Sequence, residues 1–221
     1  MSRVCVYSCN FGKYRDETKN IHNVSFKENV DYYLYTDDTT LKSTKWNIIH
    51  CDLKPGNTNI NSYRRTSKYI KFVTPDLIKR YDIIIWCDTK CLDILNTLTL
   101  TAIYSLFESS EYKLVNLFHP VRKTPQEEMN VTLRVGVENK TNGTQFLNET
   151  KQLKYDTMLP NTSFIIRKND TATNELFEHV YTLLETKGLK RDQNVYNHAI
   201  YECTYPSKHI YMIRNSSTLK P

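Results

Sequence analysis

The sequence predicts an α/β fold, a single domain spanning residues 1–221 with a mostly parallel sheet flanked by helices. Three observations carry that expectation. Short strand-like runs alternate with helix-like ones from end to end, the pattern of βα units rather than of segregated sheets and helices. The run Ile83-Ile84-Ile85-Trp86-Cys87 is apolar without interruption, as expected of a strand buried on both faces of a covered sheet. No Pro/Gly/Ser-rich linker divides the 221 residues, a length ample for one core.

Taken in order, residues 3–9 alternate enough for a first strand, and residues 10–14 supply the turn after it, with Gly12 for backbone freedom. A second strand at 32–35 stops at Thr36-Asp37-Asp38, and a third at 46–50 precedes a loop at 54–57. Residues 61–73 are helical in pattern, with Arg64, Lys68 and Lys71 on one stripe and Tyr69, Phe72 and Val73 on the core side. Thr74-Pro75 ends that helix. The central strand at 82–87 runs into Asp88, and Leu92 and Ile94 suggest a short edge strand. A helix at 98–107 and a strand at 113–118 follow. Residues 125–155 form one or two helices, broken at Asn142-Gly143. The last elements are a strand at 161–167, a helix at 174–186 closed by Gly188, a helix from Asp192 to Tyr201, and a strand at 209–213.

Composition removes several function classes. With 5 glycines the chain has no Gly-rich phosphate loop of either common spacing. A net charge of +6, with acids and bases interspersed, suits a small anionic ligand as well as a polyanion. No nucleic-acid module appears, so nucleic acid is not an expected partner and a nuclease is a distant third reading. The 6 cysteines lie in apolar or strand-like stretches without metal-finger spacing. No apolar run approaches the ~20 residues of a membrane span, and the start has no leader-like apolar region. A reduced, cytoplasmic protein is the expectation. Asn-x-Ser/Thr triplets are frequent, as an Asn/Thr-rich composition alone would make them.

The chemistry concentrates after the central strand. Asp88 sits where that strand ends, and ligands of open α/β sheets bind outside the carboxyl ends of strands. The basic stripe of Arg64, Lys68 and Lys71 arrives just before it. A solvated face is the ordinary reading of such a stripe; the adjacent aspartate and the Arg64-Arg65 pair argue for an anion instead. Glu127 and Glu128 follow Pro125, where acidic residues also suit a helix N-terminal turn. Asp192 is by position a helix cap.

The ordered set of Tyr35-Thr36-Asp37-Asp38, Arg64 to Lys68, Tyr81 to Lys90, His119 to Arg122 with Glu127-Glu128, Asn161 to Arg167, and Asp192-Gln193 with Asn197 resembles a GT-A (Rossmann-like) glycosyltransferase. It is most similar to a plant and bacterial family long listed as of unknown function and to glycosyltransferase domains that large algal viruses use on capsid glycans. The resemblance covers nearly the whole chain. It implies a nucleotide-sugar donor, UDP-linked in that family, and a carbohydrate or glycan acceptor. An origin in a virus, acting in host cytoplasm, fits the same resemblance.

By that resemblance Ser8, Asn10 and Phe11 line the nucleoside and Asp37 or Asp38 lies near the base. Arg64 and Lys68 face the diphosphate or ribose, which also needs cations on physical grounds. Asp88 matches the first carboxylate of an Asp-x-Asp motif that holds Mn or Mg against the diphosphate. Lys90 stands where the second carboxylate belongs. Either Asp88 holds the metal with help from Asp93 or His209, the preferred reading, or Lys90 supplies the positive charge itself. Asp192 is the first candidate for general base, with Glu127 or Glu128 next. Gln193 and Asn197 share a helix face and could bond one sugar. The rival expectation is a catalytically silent domain that binds nucleotide or glycan, favoured by the missing second carboxylate.

Overall fold

The computed structural model describes residues 2–12, 18–51 and 60–214. Residues 13–14 of the expected first turn and the loop expected at 54–57 lie outside them. Among the described residues one sheet has the strand order β3-β2-β1-β4-β6-β5-β7. Its strands are β1 (Val4–Asn10), β2 (Val30–Thr36), β3 (Asn47–His50), β4 (Ile83–Cys87), β5 (Leu114–Phe118), β6 (Pro160–Lys168) and β7 (Ile210–Ile213). All run parallel except β6, which pairs antiparallel with both β4 and β5. The expected fold class therefore holds: a mostly parallel sheet flanked by helices.

The uninterrupted apolar runs are explained by two cores, one on each face. Cys5, Tyr7, Ile84, Trp86 and Ile165 pack on one side with α2 (Ile60–Phe72), α6 (Thr171–Thr186) and α7 (Asp192–Glu202), through Phe72, Phe177 and Tyr196. Val4, Val6, Ile83, Ile85 and Phe164 pack on the other with α1 (Thr18–His22) and α3 (Leu100–Ser109), through Ile21, Ile103 and Phe107. Successive strand residues thus feed opposite cores, and a polar residue in the strand centre would be buried whichever way it pointed. No helix among the described residues is long and apolar enough to cross a membrane.

Three local expectations are corrected. Residues 89–97 form a 3-10 segment rather than an edge strand, because Leu92 and Leu95, three apart, both turn into the second core. The break expected at Asn142-Gly143 lies earlier, at Gly136 (φ 71°), which ends α4 (Pro125–Arg134) with a bond from Val137 N to Thr132 O at 2.9 Å. Gly143 lies inside α5 (Lys140–Thr150), where a Cβ would come within 2.7 Å of the Leu133 side chain, so glycine there lets α4 and α5 close up. On α2, Tyr69 is 48% exposed while Lys71 is 2% exposed, so the core face of that helix is rotated from the one its apolar residues suggest.

Candidate active site

The carboxyl ends of β1 and β4 and the inner face of α2 enclose a cleft of about 420 Å³. Asn10 and Phe11 leave β1 into it, and Trp86, Asp88, Thr89 and Lys90 come from the end of β4. From α2 come Tyr63, Arg64, Ser67, Lys68 and Lys71, one helix stripe, and Lys190 and Arg191 close the far wall at the start of α7. A second pocket of about 250 Å³ shares Arg64, Lys68 and Lys190 with it. A larger depression, about 730 Å³, runs along the outside of α5 and contains none of the residues singled out from the sequence.

Asp88 is fixed by the strand that delivers it. Its N–H donates to Ser163 O at 2.8 Å across the β4–β6 pair, and Trp86 Nε1 donates to its Oδ1 at 2.9 Å. Lys71 Nζ lies 3.9 Å from the same oxygen and Lys90 Nζ 3.6 Å from the other. Beneath this surface Asp192, 2% exposed, takes Lys68 Nζ on Oδ1 and Lys71 Nζ on Oδ2, both at 2.7 Å, and a bond from Thr162 Oγ1 at 2.9 Å. Burial alone would raise the Asp192 carboxyl, but the two ammonium groups outweigh it and hold it well below the usual carboxylate range.

That environment gives Asp192 a different role from the general base expected. It does not line the cleft, and its oxygens are turned to Lys68, Lys71 and Thr162 rather than to a substrate. The two glutamates are likewise placed elsewhere. Glu127 is exposed, and its Oε2 accepts from Lys123 N at 2.7 Å while Thr124 caps its own N–H, the helix-start role weighed against function. Glu128 is fully buried and ion-paired to Arg122 and, at 3.2 Å, to Arg191. It fixes Arg191 against the cleft rather than facing a substrate. The Nε of Arg191 has no hydrogen-bond partner among the described residues. Glu138 sets the same corner by accepting from Lys190 N, Arg191 N and Asn194 Nδ2.

Of the other expected residues, Asn10, Phe11, Arg64, Lys68 and Lys90 do line the cleft. Ser8 does not; it is fully buried and shares the strand face of Val4 and Val6. Asp37 accepts from Gly12 N with both oxygens, at 2.9 and 3.1 Å, and so holds the turn that follows β1. Asp38 turns back on Thr40 N at 2.9 Å. Gln193 is buried outside the cleft lining, and so is Asn197, whose Nδ2 turns to Thr157 and Met158, 2.8 Å from Thr157 O. His209 sits where β7 begins. Since β7 runs parallel to β5, and β5 lies in the direction of β4, His209 is at the opposite end of the sheet from Asp88 and cannot share an ion with it.

The sequence reading missed Tyr63, Lys190 and Arg191 as site residues, and it placed Lys71 on the basic stripe without giving it a ligand contact. The consecutive Lys190-Arg191-Asp192 was the available signal, since cations beside a candidate carboxylate at a helix start are worth placing in the same site.

The donor set does not fit Mn or Mg. Among the described residues no group of three or more His, Cys, Asp or Glu could hold a metal, and Asp93, the other helper considered, is exposed. At an effective dielectric of about 20, a divalent ion about 4 Å from an ammonium is repelled by roughly 8 kcal/mol. Lys71 and Lys90 lie 3.9 and 3.6 Å from the two oxygens of Asp88, so an ion on that carboxylate would stand in the repulsive field of two ammonium groups.

No family model matches the chain, and no curated protein matches it in sequence. Among solved structures it is similar to the galactosyltransferase LgtC in complex with donor and acceptor sugar analogues, at 8% identity and TM-score 0.49, over 94% of this chain and 72% of that one. It is also similar to a glycosyltransferase involved in glycosylation of the major capsid of PBCV-1, at 11% identity and TM-score 0.45, over 95% of this chain and 81% of that one. A third is the glycosyltransferase GlyE of Streptococcus pneumoniae TIGR4, at 14% identity and TM-score 0.42, over 96% and 45%. With these three scores below 0.5, function has to be read from the residues.

Proposed function

We propose that the chain is a nucleotide-sugar-dependent glycosyltransferase that moves a sugar, from a UDP-sugar in the first instance, to a hydroxyl of a carbohydrate or glycan. The observation that carries this reading is the composition of the cleft. It lies at the carboxyl ends of parallel strands and is lined by Arg64, Lys68, Lys71, Lys90, Lys190 and Arg191, with the aromatic rings of Phe11 and Tyr63 beside them. Cations in that number suit a diphosphate in a chain with no Gly-rich cradle, and the rings suit a planar base or a sugar face.

In the transfer, the acceptor oxygen bonds to the anomeric carbon as the bond to the diphosphate breaks, and the nucleoside diphosphate departs with the electron pair. Its growing charge is met by the cationic wall. The acceptor's proton goes to a base in the cleft. Asp88 is the carboxylate on that wall among the described residues and is our candidate for the role.

Incubation with a panel of nucleotide sugars and glycan acceptors, with release of free nucleoside diphosphate as the readout, tests the reading. Binding without release would select the alternative, a silent domain that keeps the cleft for nucleotide or glycan alone.

A further inference from the structure

Lys71 is a lysine that solvent hardly reaches. Its side chain is 2% exposed, and its Nζ lies 2.7 Å from Asp192, 3.9 Å from Asp88, and 5.1 and 5.5 Å above the Phe72 and Trp86 rings. Tyr7 OH donates to its carbonyl at 2.7 Å, which ties this turn of α2 to the sheet. Lys68, less than one helical turn earlier, takes the other Asp192 oxygen at 2.7 Å and is a quarter exposed to the cleft.

One carboxylate therefore clamps two ammonium groups side by side, and with Asp88 and Lys90 counted the cluster of three cations and two carboxylates keeps one positive charge. Buried ion pairs of this kind are weak sources of stability, and apolar side chains of similar volume commonly serve a core as well or better. A lysine on a surface would also lose much rotamer freedom on gripping a phosphate; here packing and the bonds to Asp192 already restrict it.

We infer that Lys68 and Lys71, pinned by Asp192, are a built-in cationic centre that takes the place of a divalent ion at the donor diphosphate, so that the donor binds without metal. This rests on the nucleotide-sugar reading. Asp192 is on this view a positioning residue: its oxygens face the lysines, and the lysines face the ligand.

The test is calorimetric titration of UDP, GDP, ADP and CDP into the intact chain, once with EDTA and once with Mn, for the wild type, Lys71→Met, Lys68→Met and Asp88→Ala. The expected result is one nucleoside diphosphate that binds with the same affinity, within twofold, in EDTA and in Mn. Lys68→Met should weaken it at least tenfold in both. Lys71→Met should do the same if it folds; if it does not, the more exposed Lys68 position decides. Binding that tightens tenfold or more with Mn and loses that gain in Asp88→Ala would overturn the inference and leave the nucleotide reading standing. So would unchanged affinity in Lys68→Met. Failure of every nucleoside diphosphate to bind under either condition would remove the nucleotide reading itself.

Discussion

Trp86 and Asp88 are two apart on one strand line, and the indole Nε1 of the first donates to the carboxylate of the second at 2.9 Å. Side chains at that spacing share a face. The ring is itself held in the core, edge-on to Tyr7 with centroids 5.0 Å apart. The orientation of the cleft carboxylate is thus set by core packing and not by a loop. Replacing the indole by phenylalanine keeps an aromatic ring but removes the donor. Trp86→Phe is expected to lower stability by about 2 kcal/mol, the scale for a lost hydrogen bond to a charged group, read as a shift of the urea midpoint with an unchanged slope.

Asp192→Asn separates a clamp from a base. As a clamp, its loss leaves two ammonium groups facing a neutral amide, and removing one partner of a buried pair costs about 3–5 kcal/mol. A base would instead lose turnover at unchanged stability. The pH dependence has a definite sign. Because the folded carboxyl is held below its ordinary value of 3.8, its contribution is fully present above that pH and is lost as pH falls through the depressed value. Wild type and Asp192→Asn should therefore differ most at neutral pH and converge in strong acid, measured by denaturation at a series of pH values.

Arg64 and Arg65 are neighbours with opposite expected behaviour. Arg64 lines the cleft, whereas Arg65 pairs with Glu185 at the surface, its Nε 3.0 Å from the carboxylate. Arg64→Ala should weaken nucleoside diphosphate binding about tenfold or more, the equivalent of a charged hydrogen bond. Arg65→Ala should change affinity less than about twofold and stability by less than about 1 kcal/mol, as surface pairs do. Equal effects of the two would return the stripe to a solvated face.

Gly12 has φ 73°, and a Cβ there would come within 2.4 Å of the Tyr63 ring. Both the left-handed backbone and the contact oppose a side chain. Gly12→Ala should cost about 1–2 kcal/mol of stability. It should also push Tyr63 out of its place in the cleft wall, so that nucleotide affinity falls while that of a Tyr63→Ala variant is not lowered further by adding the Gly12 change.

Much of this architecture was legible because burial on both faces writes continuous apolar runs, as at residues 83–87. The direction of β6 was not legible, since Phe164, Ile165 and Ile166 fill two cores equally well whichever way the strand runs. On α2 the stripe of Arg64, Lys68 and Lys71 was readable, but not which member was buried. Charge signals solvent in a sequence, and only the arrival of Asp192 from 121 positions away makes Lys71 a core residue. Glu127 and Glu128 illustrate the opposite case: adjacent, chemically identical, and separated by one helix step into a surface cap and a buried hub for Arg122 and Arg191.

The reversed strand also bears on how the chain can be made. β6 fits between β4 and β5, both of which precede it, so a nascent chain that has not reached residue 160 presents two facing strand edges with nothing between them. Until residue 192 emerges, α2 carries Lys68 and Lys71 without their counter-charge. Contacts of such separation form slowly and late. Ribosome-bound intermediates should therefore stay protease-sensitive through α2 and harden together once the last third of the chain is out, making the ligand cleft and the folded state products of one and the same final step.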